Sequence, residues 1–140
     1  MKKIIFICKR NRFRSQIAKG LCNQLLRGNL EADSYGFLVR EEDEIIPFSE
    51  NPKVNETIKG LKEIGIDISE ERSKNLSPEN LKDVDRIVVL TEEEDIPDWF
   101  KNNYQYEHWD EVKNFPGSPT LEKTRETIDL IKKRLSNIIS

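Results

Sequence analysis

The chain predicts an α/β fold, a three-layer sandwich in which a four-stranded parallel sheet carries helices on both faces. Two observations point there. Short apolar runs of strand length, Ile4-Ile5-Phe6-Ile7 and Ile87-Val88-Val89-Leu90, are continuous rather than alternating, as strands buried on both faces are. Between and after them, apolar residues recur at helical spacing, and the order β-α-β-α-β-α-β-α favours parallel strands with crossover helices. At 140 residues the expectation is one domain spanning 1–140, with a single core.

The elements follow in order. After the first run, Ile17, Ala18, Leu21, Cys22 and Leu25 trace a helix face that Gly28 stops. A second strand is expected between Leu30 and Phe37, and the acidic segment Arg40 to Glu50, with Pro47 in it, reads as a surface loop. Pro52 opens a helix with Val54, Ile58, Leu61 and Ile64 on one side and Gly65 at its end. Ser77-Pro78-Glu79 is a helix start leading into a short turn. The strand at Arg86 to Leu90 is followed by a short helix near Asp98 to Asn102 and a weak strand near Tyr106 to Trp109. Ser118-Pro119 is the expected start of a last helix with the stripe Leu121, Ile128, Ile131, Leu135 and Ile138.

Composition narrows the function classes. Hydrophobic residues make up 36% and charged residues 35%, which describes a soluble globular protein. A net charge of −3 argues against a nucleic-acid binder, whose footprint is basic overall. No apolar stretch reaches membrane-spanning length, and Met-Lys-Lys with only four apolar residues after it is no signal peptide. With two cysteines a disulfide framework is not expected, and the default compartment is the cytoplasm. One histidine, His108, rules out a multi-histidine metal site and reads as a packing or surface residue, so neither metal nor cofactor is expected.

The chemistry is expected at Cys8. It stands where the first strand stops and a basic turn begins: Lys9, Arg10, Asn11, Arg12, Phe13, Arg14, Ser15. Loop amides, a helix N-terminus and four cations there favour negative charge, both on a bound oxyanion and on a sulfur. Arg14 offers a planar fork for two oxygens, Ser15 a hydroxyl for the sulfur, and Asn11 side-chain bonds to hold the loop. Lys9, Arg10, Asn11, Arg12 and Phe13 are the candidate substrate-binding residues. Cys22 sits on the apolar helix face and reads as buried and inert. Trp99, Phe100, Trp109 and Phe115 can line an aromatic slot, although packing is the commoner role.

The pattern Cys8-x-x-Asn11-x-x-Arg14-Ser15, followed by Gln16, Ala18 and Gly20, resembles the low-molecular-weight protein tyrosine phosphatases and the arsenate reductases that share their fold. The resemblance runs on through Gly65-Ile66-Asp67-Ile68, Arg72-Ser73-Lys74-Asn75-Leu76 and the strand at Arg86 to Leu90. It implies a phosphate-binding loop after the first strand. There the cysteine (Cys8) attacks phosphorus, the arginine (Arg14) clamps the oxygens, and an aspartate before a proline protonates the leaving oxygen. In that family the region of Glu41-Glu42-Asp43-Glu44 borders the cleft, where it would repel acidic phosphopeptides.

Three positions depart from the family pattern. Arg10 replaces a glycine, which implies strain or a reshaped loop if positive φ is needed there. Phe13 replaces a small residue. Ungapped alignment of the last helix puts Pro116 on the family proline and Phe115 on the family aspartate, and the chain has no Asp-Pro pair, leaving Asp110, Glu111 or water as substitutes. Loss of such an acid costs about 10²–10⁴ in rate.

The first expectation is therefore a phosphatase of phosphate monoesters, phosphotyrosine-like, acting through a phosphocysteine and impaired at leaving-group protonation. The second is a phosphoprotein- or oxyanion-binding module for phosphate, sulfate or vanadate. The third is an arsenate reductase resolved by an external thiol. A monomer is expected, with no nucleic-acid or membrane partner.

Overall fold

Strand β1 (Lys2–Cys8) occupies the second position of a four-stranded sheet and is paired on both edges. Its neighbours are β2 (Leu30–Gly36) and β3 (Arg86–Val89), and β3 carries the two-residue β4 (Glu107–His108). The order is β2-β1-β3-β4, and every pairing is parallel. The computed structural model describes residues 2–115 and 117–139.

The continuous apolar run of β1 is explained by two cores. Ile4, Phe6 and Cys8 face α1 (Arg14–Leu25), α3 (Asn55–Lys62) and α5 (Leu121–Ile139) through Ile17, Leu21, Leu61, Ile128 and Leu135. Ile5 and Ile7 face the other way, against Tyr35, Phe37, Leu76, Val89 and Phe100. Ile4, Ile5, Phe6 and Ile7 have no exposed surface, and each contributes about 1.5–3 kcal/mol by burial. The second face is covered by the single turn α4 (Asp98–Lys101) and its flanking loops.

Several elements differ from the sequence expectation. The acidic segment is not all loop: it forms α2 (Glu41–Ile45) and a 3₁₀ turn at Phe48–Glu50. Four carboxylates crowd the first turn of α2, where the helix dipole favours them. Pro52 starts a 3₁₀ turn at Pro52–Val54, and α3 proper begins three residues later. Pro78–Leu81 is likewise 3₁₀, with a capping box between Ser77 and Asn80. The cap of α5 is Thr120 rather than Ser118, since the Lys123 N–H donates to Thr120 Oγ1 at 3.1 Å. Leu25, expected on the inner face of α1, is 42% exposed.

Candidate functional site

Cys8 is the last residue of β1, so the sheet delivers its sulfur to the carboxyl edge, where parallel sheets bind ligands. The loop from Lys9 to Phe13 turns directly into α1, whose helical residues begin at Arg14. Two polar groups converge on the sulfur: the Asn11 N–H donates to it at 3.3 Å, and Ser15 Oγ lies within hydrogen-bond distance at 2.9 Å.

Asn11 holds the loop in shape. Its φ is 56°, a left-handed conformation that asparagine tolerates better than most residues. Its Nδ2 donates to Ser15 Oγ at 2.7 Å and Ser34 Oγ at 3.1 Å. Its Oδ1 accepts from the Lys74 N–H at 2.8 Å and from Gln16 Nε2 at 3.2 Å, and its carbonyl accepts from Ser73 Oγ at 3.1 Å. The strain expected at Arg10 is absent, because the positive φ falls one residue later. The Arg10 guanidinium instead donates to the Leu38 carbonyl.

Backbone bonds fix the loop against β2. Phe37 N–H donates to the Cys8 carbonyl and Leu38 N–H to the Lys9 carbonyl, both at 2.9 Å. Gly36 permits this approach: a Cβ there would stand 2.8 Å from the Lys9 carbonyl oxygen and 3.0 Å from the Asn11 nitrogen.

The remaining cations divide by partner. Arg14 is 2% exposed. Its Nη1 donates to the Leu90 carbonyl at 2.6 Å and lies 3.2 Å from a Glu92 oxygen, which offsets the cost of burying its charge. Four contacts thus fall on this one nitrogen, with the second Glu92 oxygen and the Val112 carbonyl completing them. Arg12 meets Asp43 at 3.2 Å, and Lys9 meets Asp95 at 3.6 Å.

These residues line a cleft of about 420 Å³ that contains Cys8, Lys9, Arg10, Arg12, Phe13 and Arg14. Asn11 and Ser15 are fully buried and support the cleft from beneath. The rest of the wall was not foreseen from sequence: Arg40, Lys53, Thr57 and Asn114 also face the space. Lys53 and Thr57 are four apart, on one side of the turn entering α3, a spacing the sequence carried without any hint that it faced Cys8.

No carboxylate lines the cleft among the described residues. Phe115 does, with its ring edge-on to Phe13 at 6.0 Å between centroids. Pro116 lies outside the described residues. Neither substitute acid reaches the cleft wall: Asp110 is exposed, and Glu111 pairs with Arg134 on α5. The hydrogen bond from Arg134 holds the Glu111 carboxyl below its ordinary value, so it is ionised at neutral pH and has no proton to give. The expectation that Glu41 to Glu44 border the cleft is corrected too. None of them lines it, and Asp43 is buried beneath Arg12 and Asn51.

The other sequence candidates settle into packing. Phe100 and Trp109 are buried in the two cores, and Trp99 stacks edge-on against Phe100, so of the four aromatics only Phe115 lines the cleft. His108 Nε2 lies 2.7 Å from the Thr91 carbonyl, and no cluster able to hold a metal ion occurs among the described residues. Cys22 has no exposed surface, and burial pushes its thiol up to about 11. No helix is long and apolar enough to cross a membrane among the described residues.

Comparison with known proteins adds four findings. The family described as low molecular weight phosphotyrosine protein phosphatase matches residues 3–139. A glutaredoxin arsenate reductase of Synechocystis sp. is 30% identical over 142 residues, covering 100% of this chain and 98% of its own length. Among solved structures, an arsenate reductase in its phosphate-binding state superposes with a TM-score of 0.73 at 30% identity, over 99% of this chain and 97% of that one. A low molecular weight protein tyrosine phosphatase from T. tengcongensis shares the fold, at TM-score 0.68 and 24% identity over 99% and 98% of the two chains.

Proposed function

This chain belongs to the low molecular weight phosphotyrosine protein phosphatase family, and on that premise we propose that it reduces arsenate, with Cys8 as nucleophile and an external thiol as reductant. The observation that carries this reading is the cleft wall. It joins a buried cysteine and a cationic loop to Phe115, with no carboxylate among its described lining residues. A phosphate monoester needs a proton on its departing alkoxide or phenoxide. Arsenate at neutral pH carries its own protons, and its leaving oxygen departs as water. The names of the full-length relatives support the same choice and reverse the order expected from sequence.

The Cys8 sulfur attacks arsenic, a sulfur–arsenic bond forms, and one oxygen leaves with protons as water. An external thiolate then attacks the Cys8 sulfur. The electrons of the sulfur–arsenic bond pass to arsenic, which leaves as arsenite, and Cys8 is left in a mixed disulfide. A second thiol reduces that disulfide, so arsenate and two thiols give arsenite, one disulfide and water. In this scheme the loop amides and Arg14 hold the oxyanion, and Ser15 with the Asn11 N–H steadies the sulfur as attacker and leaving group. The reductant comes from outside because the chain has only two cysteines and Cys22 is enclosed.

The test is thiol-dependent arsenite production with glutathione, with glutathione plus glutaredoxin, and with dithiothreitol. Turnover that disappears in Cys8→Ser is expected. Absence of arsenite with all three reductants removes the reading. A second reading, hydrolysis of aryl phosphates with acidic phenols, is favoured by the Phe13–Phe115 edge contact in the cleft. It predicts Cys8-dependent release of p-nitrophenol and little turnover of phosphotyrosine.

A further inference from the structure

Six cations line the cleft, but its internal chemistry neutralises only part of them. Lys9, Arg12 and Arg14 each meet a carboxylate, and Arg10 is engaged by the Leu38 carbonyl. Arg40 and Lys53 have no ion pair among the described residues, and both are exposed. They come from different parts of the chain, Arg40 at the residue preceding α2 and Lys53 in the turn preceding α3, yet they line one space with Cys8. Two uncompensated charges of one sign lining a cleft create a field that attracts an anion.

The space is larger than the oxyanion requires. A tetrahedral oxyanion takes a few water volumes of about 30 Å³ each, a minor part of the 420 Å³ available. Arg40 and Lys53 line the same space. Any reagent that reaches the Cys8 sulfur enters through this cleft, since Cys8 is 3% exposed and lines it.

We infer that Arg40 and Lys53 form a second anion subsite beside the oxyanion cup, which receives the carboxylates of a low-molecular-weight acidic thiol as its sulfur approaches Cys8. The thiol in this statement rests on the arsenate-reduction reading, whereas the subsite's preference for a carboxylate-bearing ligand does not. The subsite ranks reductants by charge: acidic thiols above neutral ones, and neutral ones above cationic ones. Salt weakens the ranking, because both cations are solvent-facing.

The experiment compares wild type with Arg40→Gln/Lys53→Gln. S-methylglutathione, which keeps both carboxylates but has a blocked sulfur, reports on the subsite without turnover. Calorimetry is expected to show it binding to the wild type and about three- to tenfold more weakly to the double variant, the range two exposed charge pairs supply. Affinity for inorganic phosphate stays unchanged, and Arg40→Lys keeps the wild-type value. In turnover, KM for glutathione rises by the same factor while rates with 2-mercaptoethanol hold. No binding of S-methylglutathione to wild type, equal binding to both proteins, or a parallel fall in phosphate affinity overturns the subsite. If no thiol yields arsenite, the functional reading fails, and the S-methylglutathione comparison still decides the subsite.

Discussion

Asn11 concentrates much of the loop's geometry in one side chain. It accepts the Lys74 N–H, donates to Ser15 and Ser34, and holds φ at 56°. Asn11→Ala leaves buried donors and acceptors without partners, which costs about 1–3 kcal/mol for each group that stays unsatisfied. The expected outcome is a fall of about 2–4 kcal/mol in urea-unfolding stability and a clear loss of phosphate affinity. Asn11→Gly keeps the backbone permissive but loses the same bonds, so a matching loss there assigns the effect to the side chain rather than to φ. Cys22 offers a second test at this scale. Its thiol is held near 11 by burial, above the value of about 8.5 it has when unfolded. The stability it contributes is complete below about pH 8.5 and is lost as pH rises towards the folded value. Thiol counting on the native protein is expected to find one reactive sulfur, Cys8, with the second appearing only in denaturant.

Between elements, the site depends on how closely β2 approaches the loop after β1. Gly36 makes that approach possible, since a Cβ would stand 2.6 Å from Val39 Cγ2 as well as against the loop backbone. Gly36→Ala must therefore displace the loop that carries the Asn11 N–H bonded to the sulfur. Overpacking of this kind costs about 1–3 kcal/mol, and phosphate binding by calorimetry is expected to weaken in step with the loss of stability. Gly36 also shows where sequence reading stops. The strand-loop-helix signal at Cys8 was legible because apolar run, basic turn and helix stripe are adjacent in the chain. What β2 must do for the loop was not legible, because it depends on a contact between residues 36 and 9 that periodicity does not encode. The same holds for Arg40 and Lys53, which line the cleft although both are distant from Cys8 in the chain. The acidic segment misled for a related reason: composition indicated solvent, whereas Asp43 is 1% exposed and tied to Arg12 and Asn51.

Across the whole molecule, several carboxylates tie the sheet to its surroundings and make the fold sensitive to acid. Burial raises the Asp33 carboxyl, but the Lys74 hydrogen bond at 2.5 Å, the Ser34 N–H and nearby Lys19 outweigh it and leave it below its usual value. The Arg86 hydrogen bond holds Glu107 low, and the Arg134 hydrogen bond holds Glu111 low. Groups with depressed values stabilise the fold fully above their unfolded values, about 4, and that contribution is lost as pH falls through the folded values. Urea midpoints are expected to be flat from neutral pH to about 5 and to fall steeply below about 4. Asp33→Asn should remove part of that slope.

The general architecture, a cysteine and a basic loop at the carboxyl edge of a parallel sheet, leaves the choice of chemistry to the cleft wall. The most direct measurement is mass spectrometry of the protein quenched during exposure to arsenate and glutathione, with the modified cysteine mapped by peptide. The account predicts a glutathione mixed disulfide on Cys8 that forms only when arsenate is present and is absent in Cys8→Ser. An adduct that forms equally without arsenate, one that maps to Cys22, or none at all would contradict it.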